Sequence, residues 1–275
     1  MKKTLAAFLL AFCLGAAGAE DFGVDTREFT SKNNAFRAKV GYSGRGGGGR
    51  ASLELSAESG EKISSFEAER APFTVTISGD GKRLFFFCGA WGQSVSIYTL
   101  NVHDSSGALL AGHQVKMQGP AGEDFSEDYS VYALGADQGS AWSILVLNSE
   151  NGELLWRKKF KQRLSGLKLS GSGERLLAVF ITGQKSRRAV VYDNKGKELW
   201  RGTIATGNNL VPKAFSGDGS EFELWEDKMV YDEKDGFWHD RVLKKHSYRF
   251  TEDGVEELSP KKARPEPKQP LRPGN

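Results

Sequence analysis

A seryl turn returns five times in this chain at nearly equal steps. The leading serines are Ser31, Ser78, Ser126, Ser170 and Ser216, set 47, 48, 44 and 46 residues apart. A second turn closed by glycine keeps pace at Gly60, Gly107, Gly152, Gly196 and Gly254, with steps of 47, 45, 44 and 58. Between them lie short runs rich in β-branched and aromatic residues. A period in the forties with turn residues at fixed offsets is how stacked four-stranded blades are written in a sequence. The pattern constrains architecture tightly and chemistry very little.

The clearest unit runs from Phe73 to about Met117. Phe73–Ser78 is a β-rich run, Gly79-Asp80-Gly81-Lys82 a turn, and Arg83–Cys88 a second run. Ser94–Val102 then alternates as a half-buried strand does, and Asp104–Gly107 turns the chain into Ala108–Ala111. Each unit is thus expected to be a meander of four strands, a to d. In the a–b turns an Asp caps its own backbone and a Gly supplies positive φ, which accounts for Ser-Gly-Asp-Gly without a ligand. A calcium loop needs several oxygen ligands at alternate positions, and one Asp per turn does not provide them.

The c–d turns lead into Gly152-Glu-Leu-Leu-Trp156 and Gly196-Lys-Glu-Leu-Trp200. With the Ser-led turns, these segments resemble the quinoprotein-like and TolB-like (WD40-like) β-propeller repeats, over roughly residues 22–258. The resemblance implies an all-β propeller of about five four-stranded blades. An open or incomplete propeller is the alternative, because the first and last units are the least regular. Trp156 and Trp200 recur at one repeat position and are expected to pack between blades. The quinone enzymes of that group resemble larger, eight-bladed rings with an adjacent cysteine pair. This chain has neither, so no cofactor is expected.

The ends read differently from the body. Lys2 and Lys3, the apolar run Leu5–Leu14 and Ala17-Gly18-Ala19 have the form of a cleaved signal peptide over residues 1–19. Phe12 before Cys13 argues against lipidation. The propeller is expected over residues 20–259. Residues 260–275 hold five of the eight prolines and five Lys/Arg against one Glu, a disordered basic tail able to touch an anionic surface. Without the two ends, 31 basic and 34 acidic side chains remain, a net −3. The basic pI therefore belongs to the ends and does not indicate nucleic-acid binding. Only Cys88 is left in the mature chain. It ends the run Leu84-Phe-Phe-Phe87 and reads as a small buried hydrophobe.

In a propeller the b–c and d–a connections gather on one face. The b–c loops are where the repeats differ most, so they hold the candidate ligand residues. They are Arg45 and Arg50 around a Gly run in the first unit, Trp91 and Gln93 in the second, and Trp142 in the third. Lys185, Arg187 and Arg188 follow in the fourth, and Tyr231, Trp238, His239 and Arg241 in the fifth. The Gly run lacks the Gly-Lys-Ser/Thr and the following helix of a phosphate loop and reads as a hairpin tip. Its arginines with Lys185, Arg187 and Arg188 would make one rim basic, which suits an acidic peptide or an anionic glycan.

The fifth unit carries about a dozen extra residues near 226–246. Aromatic residues beside Asp, His and Arg compose a recognition loop; equally, Phe237 and Trp238 fold back over the blade. His239, Asp240 and His246 have no recognised metal-ligand spacing. No nucleophile elbow or distinctive carboxylate pair is present, and no catalytic residue is assigned. The expected function is an exported non-catalytic propeller that binds a protein or glycan of the cell envelope through its b–c face. A glycan hydrolase or lyase on the same scaffold, and a structural accessory subunit, are the alternatives.

Overall fold

The computed structural model describes residues 25–42, 49–89, 96–232 and 237–258. All are strand or turn, in five four-stranded antiparallel meanders with no helix among them. The first blade holds β1 (Asp25–Thr30), β2 (Phe36–Tyr42), β3 (Ala51–Ala57) and β4 (Lys62–Ala68). The second holds β5 (Pro72–Ile77), β6 (Arg83–Cys88), β7 (Ser96–Asp104) and β8 (Leu109–Met117). Next come β9 (Gly119–Phe125), β10 (Val131–Asp137), β11 (Trp142–Asn148) and β12 (Leu154–Phe160). The fourth blade comprises β13 (Arg163–Leu169), β14 (Arg175–Gly183), β15 (Ser186–Asp193) and β16 (Glu198–Ile204). The last comprises β17 (Asn209–Phe215), β18 (Glu221–Asp232), β19 (Phe237–Thr251) and β20 (Gly254–Leu258). Strand order follows chain order in every sheet. The molecule is a five-bladed β-propeller.

The repeated serines have one shared job. In each a–b turn the backbone N–H five residues on donates to the serine Oγ: Phe36 to Ser31, Arg83 to Ser78, Val131 to Ser126, Arg175 to Ser170 and Glu221 to Ser216, all at 2.9–3.0 Å. Ser78, Ser126 and Ser216 donate in turn to the Asp two residues later, and Ser31 to Asn33. A short hydroxyl thus closes a turn that the backbone alone leaves unsatisfied. Three of the closing glycines, Gly107, Gly152 and Gly196, also have a packing reason. At Gly196, with φ +76°, an added Cβ would stand 3.0 Å from the Trp156 ring of the preceding blade. Trp156 packs there against Tyr192, and Trp200 against Phe222 and Tyr248, as the repeat position requires.

Burial along the b and c strands shows how the blades stack. Leu84–Cys88, Tyr132–Ala136 and Leu176–Phe180 are continuously buried, because sheets covered on both faces carry apolar residues at every position. Four apolar clusters join first blade to second, second to third, third to fourth and fourth to fifth. Among the described residues no such cluster joins fifth to first. There the terminal blades alternate. In β2, Ala38 and Val40 are buried while Arg37 and Lys39 are exposed. In the fifth blade Phe222 and Leu224 are buried, whereas Trp225 sits between Lys213 and Lys245 at 4.6 and 4.0 Å.

Cys88 lies inside this core. Its Sγ lies 3.5 Å from the Arg70 carbonyl, and burial, partly offset by the Arg70 charge, raises the thiol to about 11. It packs and does not react.

Candidate functional site

Two features occupy the b–c end of the propeller. The first is a cleft of about 570 Å³ at the channel mouth, where the starts of β9, β13 and β17 converge. Gln118, Asp137, Trp142, Arg163, Ser165 and Asn209 supply its polar and aromatic lining, and Gly119–Ala121, Leu164 and Ile181 the apolar part. Arg163 stands 6.0 Å from the centre of the Trp142 ring. Asp137 Oδ1 accepts from the Gly139 amide at 2.7 Å, which fixes the b–c turn of the third blade. Ser165 Oγ donates to the Leu210 carbonyl, joining the fourth blade to the fifth below the opening.

The second feature is the enlarged fifth blade. Its extra residues extend β18 and β19 into a two-stranded ribbon, paired without a gap from Asp227↔Val242 to Asp232↔Phe237. Tyr231 and Trp238 are cross-strand partners with ring centres 5.3 Å apart, 48% and 61% exposed. Met229, 56% exposed, lies two residues before Tyr231 and so on the same face. The aromatic residues therefore do not fold back over the blade. His239 and Arg241 alternate with Trp238 and lie on the ribbon's other face, beside Phe237, which is 68% exposed.

The ribbon's base is pinned. Glu226 Oε1 accepts from Asn208 Nδ2 at 2.6 Å and from Thr206 Oγ1 at 2.8 Å, tying the crossover from the fourth blade to the strand. Burial opposes ionisation of Glu226, but the hydrogen bonds from Asn208 and Thr206, with His246 Nε2 3.7 Å away, outweigh it and hold the carboxyl below its ordinary pKa. His246 is buried, with Nδ1 at 3.1 Å from Glu257. Next to Glu226, Asp227 titrates the other way. Burial and the Asp240 charge raise it, against the hydrogen bond from Asn209 and the charge of Lys213. Among the described residues no three His, Cys, Asp or Glu side chains lie close enough to share a metal ion.

The sequence-based candidates divide accordingly. Trp142 lines the cleft; Tyr231, Trp238, His239 and Arg241 stand on the ribbon. Arg50 and Lys185 are exposed. Arg187 does not belong to a basic rim: it is buried, and its guanidinium donates to the carbonyls of Gly183 (2.8 Å) and Ser186 (3.0 Å). It clamps its own hairpin. Arg188 is half-buried beside it. Arg45, Trp91 and Gln93 lie outside the described residues, as do the leader and the basic tail. Gln118, Arg163 and Asn209 escape a search confined to b–c loops, whereas Asp137 stands at the b–c loop of the third blade. The usable signal is topological: d–a connections reach the same face, and these three residues stand where such a connection enters an inner strand.

No protein-family model matches the chain. No curated protein matches its sequence. Among solved structures the chain is similar to Kuenenia stuttgartiensis hydrazine synthase, at 15% identity over 84% of this chain and 64% of that one, with a TM-score of 0.47. It thus spans under two thirds of that protein. It is also similar to the WD40 domain of Toxoplasma gondii coronin, at 9% identity over 83% of this chain and 68% of that one, TM-score 0.41. A chain of the mitotic checkpoint complex is similar at 12% identity, over 87% and 68%, TM-score 0.42.

Proposed function

We propose that this chain is an exported, non-catalytic propeller that holds a protein partner of the cell envelope on its b–c face, with the fifth-blade ribbon as principal contact. The observation that carries this reading is the exposed Tyr231–Trp238 pair with Met229 beside it. Large aromatic residues grouped on a projecting, paired ribbon leave apolar area in water that a partner would cover, and aromatic anchors dominate protein interfaces. The ribbon is stiffened by its own ladder and pinned at Glu226, so little ordering entropy opposes docking. The leader-like residues 1–19 support export, and the basic tail would add attraction to an anionic surface.

The test compares the full chain with Tyr231→Ala/Trp238→Ala as bait in envelope extracts, partners being identified by mass spectrometry. A partner held by the parent chain and lost by the double variant, at unchanged melting temperature, is expected. Equal retention of every partner by both baits would overturn the reading.

A further inference from the structure

We propose that the cleft at the channel mouth binds a saccharide bearing a carboxylate, a hexuronic acid unit of an anionic glycan. It is a second site, independent of the ribbon, since none of its lining residues lies between 228 and 241.

Its chemistry carries the assignment. At about 570 Å³ the cleft falls within the range of roughly 300–1,000 Å³ typical of small-ligand sites. Its one aromatic ring, Trp142, is half-buried against the third–fourth blade core and so held in place as a platform. The C–H face of a pyranose ring stacks on such a platform at low entropic cost. Around it stand four planar groups: the Arg163 guanidinium, the Asp137 carboxylate and the Gln118 and Asn209 amides. Forked donors and acceptors of this kind match vicinal hydroxyls two at a time, so the polar lining suits a polyol better than an apolar ligand.

Charge narrows the class. Arg163 makes no ion pair among the described residues and lies over the Trp142 ring. The one carboxylate in the cleft, Asp137, has an oxygen engaged by the Gly139 amide. A guanidinium 6.0 Å from the ring centre, with no counter-ion among the described residues, is a receptor for a sugar carboxylate. A phosphorylated ligand would need more than this single cation or a cradle of backbone amides, and no helix N-terminus is present among the described residues to supply one.

Calorimetric titration of the full chain at low salt would use a glucuronic-acid oligosaccharide, the neutral glucose oligosaccharide of equal length, and acetate. Binding of the acidic sugar about tenfold tighter than the neutral one, and no measurable acetate binding, are expected. Trp142→Ala should weaken both sugars at least tenfold. Arg163→Gln, a surface change that leaves the fold intact, should abolish the preference for the acidic one. Deleting 228–241 should leave all these values unchanged, which separates this site from the ribbon. No binding of either sugar, acetate binding equal to glucuronate, or an unchanged preference in Arg163→Gln would each overturn the assignment.

Discussion

Lys32 of the first blade and Asp124 of the third meet at 2.8 Å, although 92 residues and a whole blade separate them. Asp124 also accepts from Lys168 Nζ at 2.8 Å and from the Leu169 amide at 2.9 Å. One carboxylate on β9 thus holds the first, third and fourth blades together. Its side chain is 2% exposed, that of Lys32 76% and that of Lys168 26%. The two ion pairs therefore differ in weight: water screens the Lys32 pair far more than the Lys168 pair.

Asp124→Ala should cost about 3 kcal/mol, because it leaves a half-buried lysine and a buried amide unpaired. Lys32→Ala should cost less than about 1 kcal/mol, the range of exposed pairs. Urea denaturation of the two variants measures both. A larger loss for Lys32→Ala would mean that the first blade depends on this contact to stay in the ring.

The aspartates of the a–b and c–d turns make stability fall in acid. Asp218 is held at about 2 by bonds from Ser216 and Ser220. Asp104 lies below its ordinary value through Ser106 and the Ala108 amide; Asp128 does so through Ser126 and Ser130, against a burial penalty. A carboxyl with a depressed folded pKa stabilises above its unfolded value, near 3.8, and loses that contribution as pH falls through the folded one. The urea midpoint should therefore drop from about pH 4 down to about pH 2. Asp218→Asn, which copies Asn33 of the first turn, should keep the turn and flatten that slope.

Asp227 predicts the reverse sign. Its folded pKa is raised, so its ionisation disfavours the fold as pH climbs past the unfolded value, and the penalty persists at neutrality. Asp227→Asn keeps an acceptor for Asn209 and removes the repulsion with Asp240. Its melting temperature should exceed the parent's at pH 7 and match it at pH 3. A lower value at pH 7 would show that the charge is needed at the ribbon base.

Cys88 offers a check on the core. With the thiol raised to about 11 and shut between the first two blades, native protein at pH 8 should not react with an aromatic disulfide reagent over an hour. Full reaction of Cys88 in denaturant is the control. Rapid native labelling would mean that the first blade opens readily.

What could be read from the chain alone was what is encoded locally. Ser126, Asp128 and Val131 close their turn within six residues, so serine, acid and spacing announce it wherever the chain goes. The Trp156 and Trp200 positions follow from the same period, and the burial of Cys88 from the apolar run Leu84–Phe87 that it ends. The insertion near 226–246 was equally visible as a break in that period, but not its form. Only pairing of β18 with β19 makes it a ribbon, and the register puts Tyr231 against Trp238 while turning His239 and Arg241 away. Arg187 shows the same limit: a charged residue in a variable loop reads as a rim cation until its guanidinium is found capping carbonyls. Lys32 with Asp124, and Trp142 with Arg163, are joined by the angle between blades, which side-chain volumes in four separate cores decide together. Composition and spacing carry no record of that angle. Tertiary packing thus made a cleft of residues that look ordinary in sequence.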